Sequence, residues 1–242
     1  MNTNNMINVK EELTNGKGYA VVSIEDLDNF KKLRNIFIEI IDPNNSNDTK
    51  ANIDLIRKKV AKMTKAEVNK NMIKLLKFSN LSEMIINSFP KLIEDLCGKE
   101  LFIQRRATIV MNVPGKGQAK QWPHYELMSG ISPFTFVIWA PLHDLEANSG
   151  VYYIEEKESV KIMKEEHKNG LVNGPTVLNL MQNKKTETLQ FGQAIIFNPF
   201  IIHGNIEFES KLARIAYNVR FQSYNKPLLQ KNTDYLKYHK LN

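Results

Sequence analysis

The chain has 242 residues, 42% hydrophobic and 24% charged, with nothing low-complexity beyond its polar first residues and Asn44 to Asp48. That composition excludes fibrous and wholly disordered classes and fits one large domain. A net charge of +7 favours an anionic ligand, but the lysines are spread along the chain, and no interleaving of basic and aromatic residues argues for nucleic acid.

Cys97 is the single cysteine, so no internal disulfide is possible, and the start Met1-Asn2-Thr3-Asn4-Asn5 has no apolar leader core. No run of about 18 apolar residues exists to span a bilayer. The expectation is a cytoplasmic protein without a membrane partner.

Taken in order, Gly18-Tyr19-Ala20-Val21-Val22 reads as a short strand. Ser23-Ile24-Glu25-Asp26 has the form of a helix cap with an acidic residue three positions on. Ile24, Leu27, Phe30, Leu33, Ile36, Phe37 and Ile40 then recur at helical spacing until Asp42-Pro43. A second helix is expected from Ile53 to Met63, and Thr64-Lys65-Ala66-Glu67 is a capping box opening a third through Val68, Met72, Leu75 and Leu76. A fourth covers Ser82 to Leu96, kinked or divided at Pro90.

After Cys97-Gly98 the pattern changes to strands rich in β-branched and aromatic residues: Leu101 to Val113, Phe134 to Pro141, Gly150 to Ile154, Gln193 to Ile202 and Arg214 to Gln222. Glu155 to Lys168 is a charged helical insertion, and Asn169 to Thr176 a loop with two glycines. Strands after a helical half predict a mainly β protein with flanking helices, an antiparallel barrel or jelly roll. One domain is expected: residues 1–98 mostly helical and packed on the barrel, 99–225 the barrel core, 226–242 a C-terminal tail.

The chemistry concentrates in Gln121-Trp122-Pro123-His124-Tyr125-Glu126-Leu127-Met128-Ser129-Gly130. In an extended strand His124 and Glu126 project to one side and Tyr125 to the other. Of the five histidines, His203 is the best third partner, ending an Ile/Phe-rich strand closed by turn residues. His167 and His239 lie in polar surroundings and read as solvated; His143 follows a strand and reads as structural. Two histidines and a carboxylate with open positions form the facial triad of non-heme Fe(II) oxygenases. A 2-oxo dicarboxylate cosubstrate needs a fixed cation for its far end, and Arg214, eleven residues beyond His203, opens a strand that returns beside it. Asn218 and Arg220 share the face of Arg214, so one of the two is expected to reach substrate. Gln104, Arg106 and Thr108 share one face of the 101–113 strand, lining the cosubstrate site or solvated; Trp139 is pocket wall or core filler.

His124-x-Glu126, distal His203 and Arg214 resemble the 2-oxoglutarate and Fe(II)-dependent oxygenases of the phytanoyl-CoA dioxygenase-like superfamily. Further matches are Gly18-Tyr19, Phe197-Asn198-Pro199, and Asn148-Ser149-Gly150 leading into Tyr152-Tyr153-Ile154. The run His124 to Leu142 looks closest to a subgroup found with carbohydrate and aminoglycoside biosynthesis, the streptomycin-biosynthesis type.

The resemblance covers roughly residues 16 to 222 and implies a cupin-like double-stranded β-helix. It implies iron on His124, Glu126 and His203, and the distal carboxylate of 2-oxoglutarate on Arg214; Gln104, Thr108 and Trp139, read from the strands themselves, are the further candidates around the cosubstrate. With O2 as co-reactant, such an enzyme oxidises a C–H bond of a small molecule, and the expectation here is an anionic sugar or nucleotide-sugar. The chain departs from the family pattern in two places: Glu126 stands where most relatives carry Asp, and the run Glu155-Glu156-Lys157-Glu158 replaces the usual Pro-Gly-Ser-His. Halogenating relatives lack the carboxylate, so Glu126 argues against that chemistry. The alternative is a jelly roll that binds metal or carbohydrate without turnover.

Overall fold

Helical periodicity becomes a packed layer. In the computed structural model, which describes residues 3–43, 49–78, 80–113, 123–145, 149–169, 184–205, 210–229 and 235–241, the helix α2 (Leu27–Ile41) buries Phe30, Leu33, Phe37, Ile38 and Ile41 along one stripe. Its cap is Asp26, which accepts a hydrogen bond from the Asn29 amide at 2.9 Å, so the helix starts three residues beyond the cap read from Ser23. Glu25 instead receives the Lys91 and Leu92 amides at 2.8 and 3.0 Å, at the start of α6 (Pro90–Cys97). Pro90 divides the expected fourth helix into α5 (Leu81–Ile86) and α6, taking the first helical position, where a missing N–H costs nothing. α3 (Thr49–Lys62) and α4 (Lys65–Leu76) follow the sequence, and Thr64 and Glu67 form the full reciprocal cap. One helix was not legible, α1 (Thr3–Thr14), in a polar stretch with few periodic apolar residues.

The large sheet runs in the spatial order β1 (Tyr19–Ser23), β7 (Gln193–Phe197), β4 (Phe136–Pro141), β9 (Arg214–Ser223), β2 (Glu100–Gln104) and β10 (Leu236–Lys240), with β3 (Thr108–Asn112) also on β9. Every pairing is antiparallel. A small sheet, also antiparallel, holds β6 (Lys185–Thr186), β5 (Val151–Ile154) and β8 (Ile202–Asn205).

Two expected strands are broken. The 101–113 run parts between β2 and β3, and the 193–202 run parts at Asn198-Pro199, where proline has no N–H for a ladder. The Asn198 side-chain Nδ2 donates to the Leu13 carbonyl at 2.9 Å and the Glu156 carboxylate at 2.6 Å, and its backbone N–H to the Gly18 carbonyl at 2.9 Å. β10 lies inside the stretch read as a tail, and its pairing with β2 half-buries His239, whose Nε2 is 3.0 Å from Asn87 Oδ1. The charged insertion is α7 (Glu156–Asn169), with His167 exposed as expected. The loops expected at 44–48 and 170–176, and residues Gln121, Trp122 and Asn148, lie outside the described residues.

Strand alternation divides the interior in two. Ile215, Tyr217, Val219 and Phe221 of β9 face the helices, joining Phe30, Phe37, Ile85 and Phe89 in one core. Ala216 faces the small sheet, in a second cluster with Tyr19, Val137, Trp139, Tyr153, Ile195 and Phe197. Arg214, Asn218 and Arg220 share the register of Ala216 and so point into the space between the sheets. Among the described residues no helix is long and apolar enough to cross a membrane.

Candidate metal centre

The main chain brings two of the expected ligands together. His124 and His203 form an antiparallel bridge, exchanging both backbone hydrogen bonds at 3.0 and 2.9 Å. Tyr125 continues extended (φ −124°, ψ 150°), so His124 and the next residue but one begin on the same side. The expected strand ends there. Glu126 opens a 3-10 turn, Glu126–Ser129, closed by Gly130 in the left-handed region at φ 74°. Tyr125 points away, against Ile154, Ile162 and Ile202 beneath α7.

One ligand atom from each of His124, Glu126 and His203 lies within 4.8 Å of the others. Glu126 is 1% exposed and His203 7%. His203 Nδ1 stands 3.1 Å from the Ile201 carbonyl, an acceptor only, which puts the ring proton on Nδ1 and leaves the Nε2 lone pair 3.6 Å from Glu126 Oε1. Burial, then His124, depresses His203 to about 4, against the opposing pull of Glu126. A neutral imidazole therefore turns a lone pair toward a carboxylate oxygen, an arrangement that a cation between them relieves. Two nitrogens and one oxygen fit a small divalent transition metal.

The Glu126 carboxylate is held by Arg220. Nε donates to Oε2 at 2.7 Å and Nη2 to Oε1 at 3.1 Å, a fork-to-fork pair. Burial alone would raise the Glu126 carboxyl, but Arg220, with smaller contributions from His203 and His124, holds it below the ordinary carboxylate range. The third nitrogen, Nη1, donates to Tyr235 Oη at 2.7 Å and Gln104 Oε1 at 3.3 Å. Sequence reasoning put Arg220 on the right face but aimed it at substrate; nothing in the sequence pointed to Tyr235.

Arg214 is fully buried. Its guanidinium donates to the Ser149 carbonyl at 2.8 Å and to the Gly150 carbonyl and the Asn205 side-chain oxygen; Asn112 joins them once its amide is turned to present oxygen. Burial lowers it only to about 10, so it stays charged at neutral pH. Asn205 is two residues beyond His203 on β8, about 7 Å along a strand. The intervening Gly204 admits no side chain, since a Cβ there would lie 2.5 Å from Tyr152 Oη.

The remaining candidates separate. Gln104 is buried and, besides Nη1, accepts the Arg220 amide at 3.1 Å, so it supports the arginine that holds Glu126. Thr108 is exposed and its hydroxyl accepts from Gln104 Nε2 at 3.1 Å. Arg106, read on the same face, is exposed in the break between β2 and β3, where alternation no longer applies. Trp139 is 4% exposed and sits in the cluster between the sheets, cross-strand from Asn218.

No family model matches the chain, and no curated protein matches it by sequence. Solved structures do. EctD from S. alaskensis with bound Fe superposes with a TM-score of 0.57 at 12% identity, over 95% of this chain and 79% of that one. The epimerase SnoN, in complex with Fe3+, alpha ketoglutarate and nogalamycin RO, gives 0.52 at 11%, over 99% and 96%. HygX from Streptomyces hygroscopicus, with nickel and 2-oxoglutarate bound, gives 0.52 at 9%, over 92% and 88%. The chain therefore has the jelly-roll fold these structures share, with helices laid against its larger sheet.

Proposed function

We propose that this protein is an Fe(II)- and 2-oxoglutarate-dependent dioxygenase acting on a small organic molecule. The observation that carries the reading is the convergence of His124, Glu126 and His203 within 4.8 Å, between the sheets of a fold whose solved examples hold iron, nickel and 2-oxoglutarate. His124, Glu126 and His203 would hold the metal on one face, leaving positions for cosubstrate and O2. Bound Fe(II), with O2 and 2-oxoglutarate that leaves as succinate and CO2, supplies the oxidising power.

The protein's own part is placement. Arg214 would hold the far carboxylate of the cosubstrate in exchange for the carbonyl and amide oxygens it contacts here, its charge standing about two strand residues from His203, a span that suits a short dicarboxylate. His203 keeps its Nε2 lone pair available because its Nδ1–H donates to the Ile201 carbonyl. Trp139, Tyr153 and Phe197 wall the space with apolar surface and exclude water from it. The finer assignment, an anionic sugar or nucleotide-sugar, is supported by the +7 net charge and by the subgroup resemblance of residues 124–142.

The test is anaerobic loading with Fe(II) followed by 2-oxoglutarate and O2. Succinate is expected to form stoichiometrically with O2 uptake. His203→Ala is expected to weaken metal binding by at least about tenfold and to abolish succinate formation. Tight metal binding with no turnover across plausible sugars would instead identify a binding jelly roll, the reading that Glu126 in the place of the usual Asp favours.

A further inference from the structure

Three polar side chains of β9 face the space between the sheets, and two of them are engaged. Arg214 is held by main-chain carbonyls and Asn205, and Arg220 by Glu126, Tyr235 and Gln104. Asn218 lies between them, four residues from the first and two from the second, about 14 and 7 Å along the strand. The residue is half-buried, and its Oδ1 is closed off from solvent with no donor among the described residues. A buried acceptor in that state is costly, and inside a candidate binding space it calls for a donor from whatever binds there.

The cosubstrate has none to give. At neutral pH 2-oxoglutarate presents two carboxylates and a carbonyl, all acceptors. Of the two small molecules that would meet here, only the substrate can bring an O–H or N–H.

The neighbours narrow the chemistry. Trp139 on β4 and Thr108 on β3 stand in register on either side of Asn218, each with its Cβ about 5 Å away. Trp139 is 4% exposed and offers apolar surface, whereas Thr108 is exposed, so the amide is approached from the Thr108 side. An amide carries acceptor and donor side by side: Oδ1 takes the proton of one hydroxyl while Nδ2 donates to the oxygen of the next. Adjacent hydroxyls on a ring with a C–H edge toward the indole satisfy both ends. An ammonium, which only donates, satisfies one.

We infer that Asn218 is a specificity-determining residue that binds two adjacent hydroxyls, so that the substrate is a ring bearing a vicinal diol. The inference rests on the space between the sheets being the substrate site, as proposed above. It also decides which of Asn218 and Arg220 reaches substrate, since Arg220 is spent on Glu126.

The experiment measures binding to the full chain by ligand-observed NMR, with Zn(II) and 2-oxoglutarate present so that no turnover occurs. The probes are hexose phosphates, nucleotide-linked hexoses and cyclitols, the deoxy counterparts of each, and cyclohexanecarboxylate, which has no hydroxyl. The strongest probe is expected to carry a vicinal diol, and loss of one hydroxyl of the pair to weaken it by about tenfold or more. In Asn218→Leu the diol and its deoxy counterpart are expected to bind alike, within about twofold, because the group that tells them apart is gone. A merely structural role would weaken both and leave their ratio unchanged. Asn218→Ala decides in the same way if the leucine variant does not fold. A wild-type ratio in the variant overturns the inference, as does a strongest probe without adjacent hydroxyls or a panel from which nothing binds. Discrimination that depends on Asn218 in a protein that forms no succinate with Fe(II) and O2 removes the dioxygenase and keeps the residue's role. Succinate formation with an unchanged ratio removes only Asn218.

Discussion

His143 and His203 are both buried imidazoles, yet their ring nitrogens are committed differently. His143 Nδ1 donates to the Asp144 carbonyl at 2.7 Å and Nε2 accepts the Ile215 amide at 3.1 Å, which fixes a neutral tautomer and leaves no lone pair for a metal. Burial, with Arg57 and Arg214 adding to it, lowers His143 to about 4 from the ordinary 6.5. Above pH 6.5 neither the folded nor the unfolded chain protonates it, and its contribution is fully present. As pH falls from about 6.5 toward 4 the unfolded chain takes up a proton that the folded chain refuses, so stability drops by about 3 kcal/mol over that window. The urea midpoint is expected to fall through this range in the wild type and to fall less in His143→Asn; parallel curves would show that another group governs the acid limb. The same attention to ring nitrogens explains what was legible. His124, Glu126, His203 and Arg214 could be read because strand alternation and spacing constrain them, whereas the grip of Arg220 on Glu126 depends on how a long side chain bends between sheets, which no period records.

Among the elements, those with local rules were read closely and those set by tertiary contacts were not. Thr64 and Glu67 announce a helix start by their own chemistry, and in the structure Thr64 Oγ1 accepts the Glu67 amide at 3.2 Å while Glu67 Oε2 accepts the Thr64 amide at 2.7 Å. Thr64→Ala is expected to cost about 1 kcal/mol and lower the melting temperature by about 2 to 4 °C, as thermal unfolding followed by circular dichroism would show. No change would mean that α4 is held by packing of Leu75 alone. The turn that carries Glu126 was missed for the opposite reason. His-x-Glu satisfies a strand pattern as well as it satisfies a strand that gives way to a 3-10 turn, and only the left-handed Gly130 four residues later marks the difference. β10 was missed because Leu236-Lys237-Tyr238-His239-Lys240 carries one buried apolar residue, Leu236, and gains its place from pairing with β2.

Across the whole molecule, the large sheet separates a helical core from the space that holds the candidate centre, and β9 serves both, its odd residues packed on helices and its even residues turned toward the ligands. The chain's end reaches the centre through this arrangement. Deleting residues 235–242 would remove the β10 pairing, the contact of Lys237 with Glu83, the contact of His239 with Asn87 and the Tyr235 phenol on Arg220. Such a truncation is expected to lower the melting temperature by several degrees and to weaken Mn(II) binding, measured by equilibrium dialysis on the folded fraction. Unaltered affinity in a protein that still folds would show that Gln104 alone suffices behind the guanidinium.

One rung of main chain, 124 to 203, has a mechanical meaning of its own. It pins the stretch before the turn to β8, so the two imidazoles share one backbone anchor and a change in either segment is felt by both. The carboxylate lies two residues beyond that rung, on a turn of its own, and takes its bearing from Arg220 instead.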